Sequence, residues 1–346
     1  MDASKRRITL KDVAREAGVS VMTASYALRN HPATAAATRQ RVKAVAEKIG
    51  YRPDPVLGAL TAYRTRAGGK RLKGVIGVLV DQPPRQWEAL AFGAQVMSGL
   101  RQRAEELGYT VEYFETGGGM SAKRTTSVLR SRGVRGLIVA APAAPGACIE
   151  LGWEHFCAVG IGRSLDSPLL DYVSANQYES GLRIMSELAA RGYRRAGFVS
   201  PMQVDERIGH RFLAAYFVSQ QELYGAPALV PPLLDHANEA DAVSRWLRLH
   251  KPDAVISDDA VIHSVLRRIG LRVPRDIGVA VTRLMDIETE LSGIVPRLTM
   301  IGAKSVEFLH AKLLTGDTGV PEERTGSVIS GYWHEGATLR SRSAAE

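Results

Sequence analysis

The chain has 346 residues, 45% of them hydrophobic and 23% charged, and no apolar run reaches the roughly 18–20 residues that a membrane-spanning helix requires. That length excludes a single small domain and suggests two or three folding units. Sixteen of the 45 lysines and arginines but only five of the 36 acids fall in residues 1–73, so the first fifth carries +11 and the remainder −2. A basic head on a near-neutral body points to a polyanionic partner, because Lys and Arg gain affinity by releasing counterions condensed on phosphates. A solubilising charged tail is the bland alternative.

The first residues, MDASKRRITLKDV, lack the apolar stretch of a secretory signal, which sets the expectation of a cytoplasmic protein. Thr9 with Asp12 three residues on forms a capping-box pattern, and Leu10, Val13, Ala14 and Ala17 share one face, so a helix is predicted over about 10–17. Gly18 stops it. Ser20 suits the N-cap of a second helix running to about Leu28, with Ala24, Ala27 and Leu28 inward and an uncharged outer face of Val21, Met22, Thr23, Ser25 and Tyr26. A third helix fits residues 37–50, with Val42, Val45, Ala46 and Ile49 inward and Gly50 at its end. Helix, tight glycine turn, helix is a helix-turn-helix, whose second helix enters the major groove of DNA. On that reading Val21, Met22 and Tyr26 meet base edges while Ser20, Thr23 and Ser25 reach phosphates; a three-helix bundle that touches no DNA is the competing reading.

TLKDVAREAGVSVMTASYALRN followed by TRQRVKAVAEKIGYRPDPVLGAL resembles the N-terminus of the lac repressor family of bacterial transcription regulators, without a gap from Thr9 to about Ala62. The resemblance implies that Val21, Met22 and Tyr26 choose the operator and that Ser20, Thr23, Ser25, Arg29, Asn30 and Thr38 lie near the DNA backbone; Thr9 and Leu10, at the start of the match, are counted among the DNA-binding positions. Where many members carry an Arg that can grip guanine, this chain has Tyr26, which predicts reading by apolar contact or a single hydroxyl bond.

Asp54 and Pro55 suit an N-cap and first helical position, so a short helix is predicted over 55–63. Nine residues with Gly58 among them fall below the roughly 12–15 needed for stability in isolation. The resemblance implies a hinge helix that forms when two subunits share an operator, with Leu60 as a minor-groove wedge beside Leu57; a plain linker packing both leucines on the body is the alternative. RTRAGGKRLK, 64–73, lacks the residues of a phosphate loop and reads as a solvated joint.

From Gly74 apolar runs alternate with amphipathic stretches: 74–80, a helix over 87–107, 110–114, a helix over 121–132, 136–141, a helix over 147–154 and 156–162. A second set follows with 195–200, a helix over 207–224, 253–258, a helix over 259–269 and 278–282. Such alternation predicts two doubly wound lobes with parallel sheets and a ligand cleft at the strand carboxyl ends. NQYESGLRIMSELAARGYRRAGFVS and GLRVPRDIGVAV resemble the same family's core, which is like the type I periplasmic binding proteins. The predicted architecture is an all-α helix-turn-helix head over 1–52, a hinge helix and linker over 53–73, and an α/β ligand-binding and dimerisation core over 74–346.

The family pattern makes Arg207 or Arg211, and Asp258, candidate ligand contacts. Its usual carboxylate after the VAV strand falls here near Arg283, so either Arg283 contacts the ligand, favouring an acidic or phosphorylated one, or it faces solvent and Asp286 serves. Gln82 and Trp87 are further candidates, Trp87 as a stacking face or as core. The eight histidines show no metal-ligand spacing, and neither CxxC nor GxGxxG occurs, so no catalytic residue, metal or cofactor is assigned. Cys148 and Cys157 are expected as free thiols. The combined expectation is a homodimeric DNA-binding regulator, a repressor responding to a sugar or sugar derivative on a near-palindromic operator; a solute-binding receptor with the same core and a dehydrogenase-like enzyme are the alternatives. RSRSAAE after the last apolar segment has no leucine heptads for a tetramer-forming helix.

Overall fold

The computed structural model describes residues 8–28, 34–51, 74–116, 119–142, 146–225, 229–237, 239–258 and 261–341. The head consists of α1 (Leu10–Glu16), α2 (Val21–Leu28) and α3 (Ala36–Lys48). Asp12 Oδ2 accepts from the Thr9 amide at 2.9 Å and the Thr9 hydroxyl at 2.7 Å, which starts α1. Gly18, at φ +60°, ends it: the Val19 amide donates to Ala14 O and the Gly18 amide to Arg15 O, the paired bonds of a Schellman turn. Ser20 Oγ accepts from the Thr23 amide at 3.0 Å and so caps α2. Val13, Ala14, Ala17, Ala24, Ala27, Val42 and Ala46 form the buried core of this unit. Five of the seven are alanines, which lets three short helices approach closely but leaves little apolar area per residue.

The body holds two sheets. The first has the order β12-β7-β5-β3-β1-β2, built from β1 (Gly74–Val80), β2 (Tyr109–Glu115), β3 (Val134–Val139), β5 (Cys157–Ile161), β7 (Tyr172–Ala175) and β12 (Gly326–Ile329). The second has the order β13-β11-β10-β9-β8, built from β8 (Ala196–Val199), β9 (Ala254–Ser257), β10 (Gly278–Val281), β11 (Ser292–Val295) and β13 (Tyr332–His334). Within these two sheets every described pairing is parallel except that of β11 with β13. Each sheet is covered on both faces, as parallel sheets must be. In β1, Ile76, Val78 and Val80 enter one apolar cluster while Leu79 enters another; in β10, Val279 and Val281 face one side and Ala280 the other.

The helices are α4 (Pro84–Ala89), α5 (Ala91–Glu106), α6 (Ala122–Ser131), α7 (Gln177–Ala190), α8 (Met202–Arg207), α9 (Arg211–Leu223), α10 (Ala240–His250), α11 (Val261–Arg268) and α12 (Leu298–Thr315). The chain passes between the sheets three times: from β7 through α7 to β8, from β11 through α12 to β12, and from β12 to β13. Helix α12 thus belongs to the first lobe although it follows the second, and packs on α5 with almost no side chain between. A Cβ on Gly302 would lie 2.0 Å from Val96 O, and one on Gly99 1.8 Å from Thr299 O.

Several sequence expectations need correction. The helix predicted over 87–107 begins at Pro84, whose fixed φ suits a first turn, and breaks at Leu90, which adopts an extended conformation between α4 and α5. That break brings Gly93 so close to Trp87 that a Cβ would sit 2.0 Å from Trp87 O. The helix predicted over 207–224 is also two: Gly209 and His210 both have positive φ and separate α8 from α9. The helix predicted over 147–154 does not form. Ala147–Cys148 is instead β4, paired with β6 (Leu165–Ser167), and Trp153–His155 is one 3-10 turn, tied by Trp153 Nε1 donating to Ile149 O at 3.1 Å. Gly152 within so short a segment opposes an α-helix by ~1 kcal/mol, and the indole bond stabilises the alternative turn. Cys148 and Cys157 are both free. The helix predicted over 55–63 lies outside the described residues.

Candidate functional site

Two places in the fold gather the candidate residues. On the head, α2 contains neither acid nor base, and its outer face exposes Val21 (42%) and Met22 (59%). Exposed side chains of this size on a capped helix, with Ala24 and Ala27 buried behind them, leave an apolar reading edge that packing in the head does not explain. Ser20 Oγ and Thr23 Oγ1 lie 2.8 Å apart at the start of α2, and Tyr26 is half-buried on its later turn. Ser25 is in the helix, but its side chain is outside what the structure describes. Thr9 caps α1, Leu10 packs on the head core, and Thr38 sits half-buried in the first turn of α3. Arg29, Asn30, Leu57 and Leu60 lie outside the described residues.

In the body a cavity of about 430 Å³ opens where the carboxyl ends of both sheets meet. Asp81 and Gln82 follow β1, Asp258 follows β9, and Thr282 and Arg283 follow β10, as a doubly wound topology dictates. Four of the predicted contacts, Gln82, Arg207, Asp258 and Arg283, line it. Trp87 also lines it, but at 2% exposure and edge-on to Phe92 it is a wall of the core as much as a ligand face. Arg211 is not among the lining residues: the turn at Gly209 and His210 resets the helix, so α8 sends Arg207 inward while Arg211 opens α9 elsewhere. Between Arg283 and Asp286, Arg283 is the one at the cavity; Asp286 accepts from the Glu288 amide at 2.9 Å in an exposed turn.

Sequence reasoning missed Arg163 and Asp205, both lining the cavity. Arg163 stands 5.0 Å over the Tyr172 ring, which orients its guanidinium. Asp205 is almost fully buried and pairs with His210 Nδ1 at 2.7 Å. The Arg207 guanidinium is held below the ordinary arginine range by burial and by the like charge of Arg283, against the pull of Asp258 and Asp81. Asp81 belongs to the first lobe and Arg207 to the second, so this field spans the cleft. Gln95 Nε2 on α5 crosses it too, donating to Met285 O at 2.8 Å.

An exposed apolar helix edge on a capped three-helix head, joined to a two-lobed α/β body whose cleft is lined by charged and hydroxyl side chains, defines a two-part protein: a nucleic-acid-type head behind a small-molecule-binding core. Residues 9–54 match the family described as bacterial regulatory proteins, lacI family, and residues 185–331 match the periplasmic binding protein-like domain. The chain thus carries a lacI-family DNA-binding head followed by a periplasmic-binding-protein-like domain. It is 27% identical over 333 residues to the HTH-type transcriptional repressor PurR of Aliivibrio salmonicida, covering 88% of this chain and 92% of that one. It is 25% identical over 342 residues to the HTH-type transcriptional regulator GntR of Escherichia coli K12, covering 92% and 95% respectively. Among solved structures, the lac repressor dimer bound to operator and the anti-inducer ONPF aligns with TM-score 0.57 at 20% identity, over 97% of this chain and all of that one. A complex of the transcriptional regulator CelR with cellobiose aligns with TM-score 0.56, also at 20%, over 96% and 100%. No described helix is long and apolar enough to cross a membrane, and no described cluster of His, Cys, Asp and Glu could hold a metal ion.

Proposed function

We propose that the protein is a sequence-specific DNA-binding transcriptional repressor whose operator affinity is set by a small polar molecule held in the interlobe cavity. The observation that carries the reading is the capped, charge-free edge of α2, with Val21 and Met22 exposed, in the segment that holds the chain's excess positive charge. The surrounding cations supply affinity for phosphates, and the neutral edge supplies the reading of bases. Val21, Met22 and Tyr26 take base edges; Ser20, Thr23, Ser25, Arg29, Asn30 and Thr38 take the backbone, with Thr9 and Leu10 setting the register of α1.

The chain divides, on this proposal, into a DNA-binding unit over 1–52, a hinge over 53–73 carrying Leu57 and the minor-groove wedge Leu60, and a core over 74–346. Two chains pair through their cores and read the halves of a near-palindromic operator. The relatives named as repressors and regulators support this assignment over a solute-binding receptor. Selection of duplexes from a random pool by the full-length protein at moderate ionic strength should return a palindromic site; retention no better than that of random competitor DNA would overturn the proposal. Tyr26→Ala should relax the preferred base at one position of each half-site, and an unchanged preference there would remove Tyr26 from the reading set.

A further inference from the structure

We propose that the effector is an amphipathic organic anion, an aryl or alkyl carboxylate rather than a sugar: Arg283 takes its carboxylate and the apolar wall of the cavity takes its body. The inference rests on the regulator reading above for the existence of an effector. Arg283 is half-buried and lines the cavity, and it has no hydrogen bond or ion pair with any described residue. A guanidinium has five N–H donors and no acceptor, so one left without a protein partner at a cavity draws an anion that enters it.

The acids of the lining are engaged elsewhere. Asp81 and Asp258 attract Arg207, while Asp205 Oδ2 is tied to His210 Nδ1 at 2.7 Å and its Oδ1 is closed to solvent. Arg283 instead meets like charge: after burial, its repulsion is what holds the Arg207 guanidinium below the ordinary arginine range. A carboxylate placed on Arg283 relieves that repulsion and supplies the missing acceptors. From the first lobe Arg163 adds a third guanidinium, which stacks 5.0 Å over the Tyr172 ring and donates to its hydroxyl at 3.4 Å but meets no carboxylate among the described residues.

The wall decides the class of anion. More than half of the lining residues are apolar, among them Trp87, Phe92, Phe198, Ile208, Phe212 and Met285. Two of the lining hydroxyls are turned to the backbone, Ser174 Oγ donating to Ala175 O at 3.1 Å and Ser180 Oγ to Asn176 O at 2.8 Å. A polyhydroxylated ligand would leave hydroxyls unpaired against such a wall, which is strongly disfavoured. An aromatic ring or alkyl chain leaves none, and its burial in a cavity of about 430 Å³ supplies affinity.

The test uses the full-length chain at neutral pH with benzoate, 3-phenylpropanoate, 4-hydroxycinnamate and octanoate, the neutral amide of each, and glucose and gluconate. Thermal shift finds binders and calorimetric titration gives Kd. At least one apolar carboxylate should bind, at least tenfold tighter than its own amide and than gluconate. Arg283→Gln should bring that acid to within twofold of its amide. Equal affinity of acid and amide, glucose or gluconate binding as tightly as the best apolar acid, binding by none of the apolar acids, or an acid preference retained in Arg283→Gln overturns the inference. The comparisons of acid with amide and with gluconate on the unsubstituted protein decide it even if Arg283→Gln does not fold. Failure of the regulator reading is separate, since it appears as absent operator selection by the unsubstituted protein both with and without the bound acid.

Discussion

Replacing Lys312 with Met should destabilise the body far more than one surface charge could. Lys312 is 4% exposed, and its Nζ donates to Asp171 Oδ2 at 2.6 Å and to Asp317 Oδ2 at 2.7 Å. Asp171 is as deeply buried, and its other oxygen accepts from the amide and hydroxyl of Thr325, each at 2.8 Å. Methionine fills the aliphatic volume but removes the cation, leaving a buried carboxylate held by neutral donors alone. Breaking a buried pair from one side costs roughly 3–5 kcal/mol. For a body of this size that corresponds to a fall in Tm of about 6–15 °C. The double variant Lys312→Met/Asp171→Asn should recover much of the loss, since the stranded charge goes with its partner.

The pH dependence gives an independent sign. Burial raises the Asp171 carboxyl, but the hydrogen bonds from Lys312 and Thr325 outweigh it and hold the group below its ordinary range. Its contribution is therefore present above the unfolded-state value and lost as pH falls through the folded one. Burial lowers Lys312, but its bonds to Asp171 and Asp317 raise it above the ordinary lysine range, so that contribution persists to alkaline pH and is lost as pH rises through the folded value. Without Lys312 the carboxylate is the liability, so the Tm gap between variant and unsubstituted protein should narrow between pH 7 and pH ~4. Differential scanning calorimetry across that range is the assay. A loss under ~1 kcal/mol, or a gap that widens on acidification, would refute the argument.

Gly302→Ala should cost at least the upper end of the roughly 1–3 kcal/mol typical of overpacking, because the new methyl meets backbone atoms of α5 that cannot swing aside; urea denaturation with an unchanged midpoint would contradict it. Ser20→Ala removes the cap on the Thr23 amide, worth ~1 kcal/mol, so the first-turn amides of α2 should exchange hydrogen about fivefold faster while those of β1 stay unchanged. Cys157 is buried, and burial with the nearby Asp317 carboxylate pushes its thiol up to about 11 against the opposing pull of Lys312 and Arg135. A thiol reagent at neutral pH should therefore modify exposed Cys148 in the folded protein and reach Cys157 only in denaturant, as peptide mass mapping would show.

The head was legible in sequence because its determinants are local. Thr9 with Asp12, Gly18, Ser20 and Gly50 each act within a few residues, and each stands where the pattern put it. Strands β1, β3, β5, β8, β9 and β10 were legible as short apolar runs, since both faces of a parallel sheet are buried. The exchange of chain between lobes was not. Strand β12 pairs with β7 through Gly326 and Tyr172, a contact no periodicity over neighbouring residues encodes. The cavity was half legible for the same reason. Asp81, Gln82, Asp258 and Arg283 follow strand ends and could be placed from the topology, whereas choosing Arg207 over Arg211 required knowing that Gly209 and His210 interrupt the helix. Gly209 was the available signal. Asp205, two residues before Arg207 and outside the helix predicted over 207–224, carried no sequence signal; only its burial and its tie to His210 single it out.

The position of the crossovers explains how a molecule in the cavity could reach DNA at all. Gln177, Pro296 and Gly331, one from each passage between the lobes, line the cavity, so the segments about which the lobes would rotate form part of its wall. Strand β1 runs from Gly74, where residues 53–73 join the body, to Val80 beside Asp81 at the cavity. Seven residues at about 3.3 Å each put the attachment of the head roughly 20 Å from the ligand along one hydrogen-bonded strand. A displacement of Asp81 on effector binding would therefore have a stiff path, hydrogen-bonded to β2 and β3 on either side, to the residue that attaches the head, and so to the spacing of two heads on an operator. An effector can bias that spacing only by its difference in affinity for the two lobe angles. Asp81 and Arg207 already attract each other across the cleft, so the lobe angle the effector favours depends on whether it bridges this pair or separates it.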